Sequence, residues 1–458
     1  MSAMILEGPL STPEMVGLFS ESSLLQAMMD FEAALARAQA QAGLIPRAAA
    51  QAIASLCRVE LYDVNGIVAA ANRAGDLVGP LVSKLTETVA LFDPAAASYV
   101  HWGCCSQDVL ETALALLGRK ALVLLDEDLL ALCGSLLDLA EQHPATPVLG
   151  RTLMWPAQVI SLRHKLVTWL MPLIRSVEAL RAQAVSTLRL QFGGEVGTLQ
   201  ALGGWSDAVA QALSHELRLP MPVMAWHNQR DQNARLGAEL GILCGALGKV
   251  ARDLSLLAQA ELQEVHAGKP DDAGRMVGGL SAGLSRALVA AERTPQRVAT
   301  MLACMDQEFE RGLGQWPAEV AESVGLLFCA HGSLKGLCGI AQNMRFDSTR
   351  MLDNIGRQLD LPFVDPLILL FAPVIGRSEA QARINILTER VTKTRTPLRQ
   401  CAREYWSSDM SLHKHISASQ LDAVFDPHAI SRQADERVAG LLRQARARWQ
   451  AFMDTPAA

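Results

Sequence analysis

Five short polar junctions in this 458-residue chain carry the side chains best suited to chemistry. The first reads His101-Trp102-Gly103-Cys104-Cys105-Ser106-Gln107-Asp108 and runs straight into an apolar stretch, 109–117. His, Ser and Gln just ahead of a helix can bind an anion, because the free N–H groups and the dipole point there. Ser106 or Asp108 could equally do no more than cap that helix. The second junction is Gly150-Arg151-Thr152-Leu153-Met154-Trp155-Pro156, where an arginine and a hydroxyl suit a carboxylate or phosphate. The third, 190–198, is glycine-rich (LQFGGEVGT). The fourth, 226–231, holds His227, Gln229 and Arg230, and the fifth, 307–312, holds Gln307 and Arg311. Taken one at a time, each junction also reads as plain helix capping.

The adjacent thiols Cys104 and Cys105 offer a nucleophile or a redox pair. A thiol reacts as thiolate, and no Lys or Arg stands near in sequence to lower its pKa, although His101 is close. Small packing residues beside a pocket are the competing reading. Cys57, Cys133, Cys244, Cys304, Cys329 and Cys338 fall in apolar, helical-looking stretches and read as small core hydrophobes. No CxxC spacing or Cys/His cluster along the chain suggests zinc. His227, beside Trp226, reads as structural, while His413 and His415 flank Lys414 in a polar segment and read as surface residues.

The elements that must position these junctions are helices. Aromatic residues are only 5% of the chain, period-2 alternation is nearly absent, and a period near 3.6 runs through most of it. The first clear helix starts near Ser22 or Ser23. It carries Leu24, Leu25, Met28, Phe31 and Leu35 on one face and ends at Gly43 and Pro46. Three long helical stretches are expected: 156–189, with a kink at Pro172; 231–267, stopped by Gly268 and Pro270; and 280–344, broken near Gly312, Gly314 and Pro317. About 35 residues of helix span roughly 50 Å, too long to bury a stripe inside one small globule. They predict a long bundle, of the kind often shared between subunits. Gly237, Gly241, Gly245 and Gly248 mark a face where another backbone comes close, since each glycine costs about 1 kcal/mol in a helix interior. The expected division is an N-terminal helical domain at 1–106, a central long-helix bundle at 107–345 and a C-terminal helical domain at 346–458.

Composition narrows the partners. There are 41 basic and 47 acidic residues, a net charge of −6, and no basic runs, which argues against nucleic acid. No window of about 18 residues looks free enough of charge and breakers to cross a membrane. Residues 1–13 lack a basic patch followed by an apolar block. Nine cysteines are too sparse for a disulfide scaffold. A reduced, cytoplasmic, soluble protein is expected.

Together, in this order and spacing, the junctions resemble the fumarase/aspartase superfamily and, within it, the 3-carboxy-cis,cis-muconate cycloisomerase branch. HWGCCSQD is similar to that branch's HWGATSQD, and PVLGRT to the opening of its second conserved region. LQFGGEVGTLQALG resembles LQFGGAxGTLAALG, WHNQRD resembles WHTQRD, and QEFERGLGQWPAE resembles QEHERxxGxWHAE. FDSTRMLDNI, 346–355, is similar to the start of the branch's third domain. The likeness covers nearly the whole chain. It implies an all-α, three-domain fold and a homotetramer on a central helical bundle, with each active site assembled from three subunits. It implies addition or elimination next to a carboxylate of a small di- or tricarboxylate, by a base and by donors that stabilise the developing carbanion. It implies no metal or organic cofactor.

The chain departs from that pattern where the chemistry is done. The superfamily's signature loop, GSSxMPxKxNP, aligns with 270–281, where this chain has PDDAGRMVGGLS. The serine-base position falls on Asp272, the lysine position on Gly278 and the asparagine position on Leu280. The branch's Gln-His after GRT is replaced by Trp155 and Pro156, its QEHER histidine by Phe309, and its WHAEW by Trp316-Pro317-Ala318-Glu319-Val320. His101, Ser106, Gln107, Arg151, Thr152, Gln229, Arg230, Gln307 and Arg311 remain. One expectation is a lyase or cycloisomerase with non-standard residues: His101 donating or relaying a proton, Asp272 as base with its pKa raised by burial, and Lys269 or Arg275 as electrostatic partner. Another is a reaction that needs no strong base, in which the protein only orients an activated substrate. A third is a catalytically inactive relative that binds a ligand or partner. Lys269, Asp271, Asp272 and Arg275 would also suit a solvated loop.

Overall fold

The computed structural model describes residues 10–267 and 278–455. Lys269, Asp272 and Arg275 lie outside the described residues. Helices dominate the described chain, with four short strands among them.

The organising element is the helix Ser106–Gln142, 37 residues and about 55 Å long. Its first turns are legible in the apolar 109–117 stretch. The rest continues through Gly118 and Gly134, the second of which lies under the Trp449 ring, 3.1 Å from where a Cβ would stand. Leu162–Thr187, Gln315–Ala341 and the last helix, Pro427–Asp454, pack against it, and Asp231–Leu257 and Gly278–Ala303 pack onto those helices to complete the bundle. They share one buried apolar core that includes Leu136, Trp169, Leu247 and Leu334. A second core joins the helix Glu21–Ala42 to the first turns of the 106–142 helix and to residues 190–219. A third gathers residues 355–425 over Leu149 and Val159.

The expected helix boundaries needed correction in three places. The first long helix begins at Glu21, because the Ser20 hydroxyl, not Ser22 or Ser23, accepts from the Ser23 N–H; Gly43, at φ 83°, caps its end as expected. Residues 147–161 form a two-stranded hairpin, Pro147–Thr152 against Trp155–Ser161, so Pro156 lies in a strand and the helix starts only at Leu162. Leu153 and Met154 both take positive φ, the conformation that joins twisted strands through a two-residue turn. The next helix stops at Leu257 rather than 267. Glu264 turns inward to Arg151 and Asn354, and Val265–Ala267 pairs with Met344–Phe346. The third stretch is broken across Gly312 and Gly314 as expected, into Gly278–Ala303 and Gln315–Ala341, with Pro317 in the first turn of the second helix. Pro172 lies inside a continuous helix.

The glycine face behaves as expected at three of its four positions. A Cβ on Gly237 would stand 2.3 Å from Met301 Sδ, on Gly241 2.7 Å from Val298 Cγ2, and on Gly248 2.4 Å from Ala291 Cβ. The helix Gly278–Ala303 therefore packs almost onto the backbone of Asp231–Leu257. Gly245 meets nothing within 4 Å. The membrane expectation is also amended. Gln315–Ala341 is long and apolar enough to cross a membrane, but 67% of its most apolar window is buried inside the protein, as suits a core helix.

Candidate active site

Four of the five polar junctions meet at the N-terminus of the 106–142 helix. Asp108, fully buried, is the hub. Its Oδ1 accepts from Gly193 N (3.0 Å) and Gln191 Nε2 (3.2 Å) and lies 2.9 Å from His227 Nε2; its Oδ2 accepts from Gly194 N (2.8 Å) and Cys105 N (3.1 Å). One carboxylate thus ties residues 105, 191–194 and 227 together. Gln107 Nε2 donates to the His227 carbonyl, and Gln191 Oε1 accepts from Trp226 N. Gly193 is required here, since a Cβ would stand 2.5 Å from that of Ala225 and 2.8 Å from the His227 ring. The fifth junction reaches the same end. Asn228 Nδ2 donates to the Phe309 carbonyl at 2.7 Å, and Arg311 Nη1 lies 3.4 Å from Glu195 Oε1.

His101 sits beside this hub with a positive φ of 58°. Its Nδ1 lies 2.6 Å from Glu32 Oε1, a buried carboxylate of the first long helix. Burial disfavours the imidazolium, but the Glu32 hydrogen bond and the charges of Glu32, Asp108 and Asp76 outweigh it and raise the His101 pKa. Burial and nearby carboxylates push the Cys104 thiol well up, and burial and Asp108 push Cys105 up to about 12. Neither is a ready thiolate, which fits the packing reading of the pair.

Beneath the hub, Arg230 is fully buried. It donates Nε to Glu319 Oε2 at 2.8 Å and Nη2 to Glu319 Oε1 at 2.7 Å and Glu111 Oε1 at 2.6 Å. Through Nε and Nη2 Arg230 is committed to carboxylates of its own chain, while among the described residues its buried Nη1 has no hydrogen-bond partner. Burial raises the Glu111 pKa, against the pull of Arg230. Gln107, 1% exposed, is held in the same way by His227. Ser106 and Arg311 are half-buried, and Gln229 is exposed, so all three are open to a ligand; Gln307 Nε2 is turned back onto the Cys304 carbonyl.

The remaining junction is at the far end. Arg151 and Thr152 lie in the hairpin beyond Gln142, so most of the 106–142 helix separates them from Ser106. Arg151 grips Glu264 with both terminal nitrogens, at 2.6 and 3.1 Å. Thr152 is exposed, and the hairpin tip shows Leu153, Met154 and Trp155 to solvent at 93%, 76% and 75% exposure. One chain does not bring the two halves together.

The chain matches the lyase family model over residues 8–274. It is 39% identical over 421 residues to the 3-carboxy-cis,cis-muconate cycloisomerase of Pseudomonas aeruginosa, covering 90% of each chain. The chain belongs to the lyase family, in the fumarase/aspartase superfamily. The crystal structure of the 3-carboxy-cis,cis-muconate lactonizing enzyme from Pseudomonas putida superposes with a TM-score of 0.90 at 34% identity, covering 98% of this chain and all of that one. A nitrosuccinate lyase of Streptomyces davaonensis is 32% identical over 424 residues, covering 89% of this chain and 88% of that one. The mostly helical, lyase-like fold expected from the motifs is therefore present.

Within this lyase-family fold several polar groups were missed in the sequence. Glu32, Glu111, Glu264 and Glu319 are all buried and each holds a cationic or ring partner. Their signal was an acid inside an apolar helical stretch, as with Glu32 next to Phe31 and near Met28 and Leu35. Among the described residues the tertiary fold also brings together two groups of ligand-type atoms: Glu32, His101 and Cys104; and Cys105, Asp108 and His227.

Proposed function

We propose that the protein is a lyase or cycloisomerase that adds or removes a group next to a carboxylate of a small di- or tricarboxylic acid, with non-standard catalytic residues. The observation that carries this is the convergence at the N-terminus of the 106–142 helix. Ser106 and Arg311 stand at a helix end whose dipole favours anions, with a histidine of raised pKa beside them. His101 donates or relays the proton. Asp272 serves as base and Lys269 as its electrostatic partner. Ser106, Gln229, Gln307 and Arg311 hold carboxylates, while Gln107 and Arg230 keep the cleft in shape.

The proposal includes a cytoplasmic homotetramer and chain segments divided at 106 and 346. The exposed apolar hairpin tip, and Val223, Phe309 and Leu313 exposed at the other end, are surfaces that a second copy would cover. Arg151 and Thr152 of one copy would then complete the cleft of another.

Ultraviolet and mass-spectrometric assays with muconates, fumarates and substituted succinates test the activity. Turnover that Asp272→Ala removes, with folding intact, supports the reading. Ligand-induced rises in melting temperature without turnover of any such acid would overturn it in favour of an inactive binding protein.

A further inference from the structure

Cys104 and Cys105 stand where the motif this chain resembles has Ala-Thr. Each falls into one of the two groups of ligand-type atoms, and the groups differ in a way that decides between them. In the second, Asp108 already accepts from five donors: Cys105 N, Gln191 Nε2, Gly193 N, Gly194 N and His227. A cation there would have to break the hub of the fold. In the first, a nitrogen, an oxygen and a sulfur converge on one spot with far less invested. His101 Nδ1 lies 2.6 Å from Glu32 Oε1 and 3.2 Å from Cys104 Sγ, and all three donor atoms lie within 4.8 Å of one another. Cys104 Sγ also lies 3.5 Å from the His101 carbonyl, its other hydrogen-bond partner.

We infer that Glu32 Oε1, His101 Nδ1 and Cys104 Sγ form a binding site for a borderline-soft divalent cation of the zinc type. One carboxylate, one imidazole and one thiolate suit zinc and not magnesium or calcium. Zn–N and Zn–O bonds of about 2.0 Å and a Zn–S bond of about 2.3 Å place tetrahedral ligands roughly 3.3 to 3.5 Å apart. His101 Nδ1 therefore needs to move away from Glu32 Oε1 and from Cys104 Sγ by less than about 1 Å each, within reach of small side-chain rotations. His101 is partly exposed and Cys104 half-buried, while Glu32 is buried; a water would supply the fourth ligand of a tetrahedral site. On binding, the Cys104 thiol proton leaves to solvent. The Nδ1 proton leaves too, or moves to Nε2, and the thiolate and carboxylate charges neutralise the metal's two. The inference needs no substrate and no turnover, but it shares His101 with the lyase reading, so a bound cation and the proton relay would compete for that ring.

The test is titration of the reduced, metal-free full chain with Co²⁺, followed by displacement with Zn²⁺. The expected result is one cobalt per chain, with a near-ultraviolet sulfur-to-cobalt band and the strong visible bands of tetrahedral cobalt, both abolished by Zn²⁺. Cys104→Ser removes the near-ultraviolet band, and Glu32→Gln weakens binding by about tenfold or more; far-ultraviolet dichroism checks that each variant is folded. A wild-type chain showing no sulfur-to-cobalt band overturns the inference. So does a band that survives in Cys104→Ser. If Cys104→Ser does not fold, Glu32→Gln decides alone: unchanged cobalt affinity there overturns the inference.

Discussion

Asp108 and His227, 119 residues apart in the chain, meet at 2.9 Å in the buried floor of the cleft. The contact matters because the same carboxylate also holds two backbone N–H groups of the glycine-rich loop. Asp108→Ala leaves those donors unpaired in a dry site. Each hydrogen bond to a charged group is worth about 1.5–3 kcal/mol, so the variant should lose at least that much stability. It should also lose affinity for carboxylate ligands. Urea midpoints and ligand-induced melting shifts measure the two effects. An unchanged midpoint would remove Asp108 from its place as hub.

Arg230 separates two buried carboxylates, Glu111 and Glu319. Arg230→Met removes the cation and keeps the bulk. Breaking a buried pair by removing one partner typically costs about 3–5 kcal/mol. The double variant Arg230→Met with Glu319→Gln should recover part of that loss, because one buried charge goes with its partner. Chemical denaturation of the single and double variants gives the comparison.

The separation of Ser106 and Arg311 from Thr152 by most of a 37-residue helix makes a prediction about mixing. Arg311→Ala and Thr152→Ala should each abolish turnover of the acid that the assay identifies. Unfolded together and refolded as a mixture, they should regain part of it, since some clefts then draw an intact half from each parent. Light scattering reports the assembly in the same samples. Two inactive variants that stay inactive when mixed, in an otherwise intact oligomer, would refute shared clefts.

The packed glycine face can be tested one methyl at a time. Gly248→Ala drives a Cβ to 2.4 Å from that of Ala291. Overpacking of this kind typically costs about 1–3 kcal/mol. Gly245→Ala meets no atom of its own chain and gains helix propensity of up to about 1 kcal/mol. Melting temperatures should therefore move in opposite directions for two substitutions three residues apart.

Asp128 sets part of the acid limit. Burial raises its pKa, but His331, 3.0 Å away, and Lys335, 2.9 Å away, outweigh that and lower it. Cys338, whose Sγ–H donates to the Asp128 carbonyl, and Glu14, near Lys335, complete the ionisable surroundings. A carboxyl whose pKa is depressed on folding contributes stability above its unfolded pKa of about 3.9, and that contribution is lost as pH falls through the folded value. Asp128→Asn should lower stability at pH 6 and flatten its loss below about pH 4, as followed by unfolding across that range. Parallel curves for the two proteins would count against the assignment.

The amino-acid order alone determined the helical class, the long bundle, a glycine face for close packing and the family likeness. Those features depend on local periodicity and on motifs that each lie within about ten residues. It also placed His101, Ser106 and Arg311 at junctions, because polar residues with glycine break an apolar stripe visibly. What only the tertiary structure decided was which of those junctions meet. Arg230 looks as available in sequence as Arg311, yet one is locked between Glu111 and Glu319 while the other stands at the rim. The hairpin at 147–161 is local, closed by a two-residue turn, whereas the early end of the helix at Leu257 goes with pairings from far along the chain, such as Arg151 with Glu264. Burial and long-range charge pairing are set by what arrives from elsewhere in the chain, and no local pattern encodes that arrival.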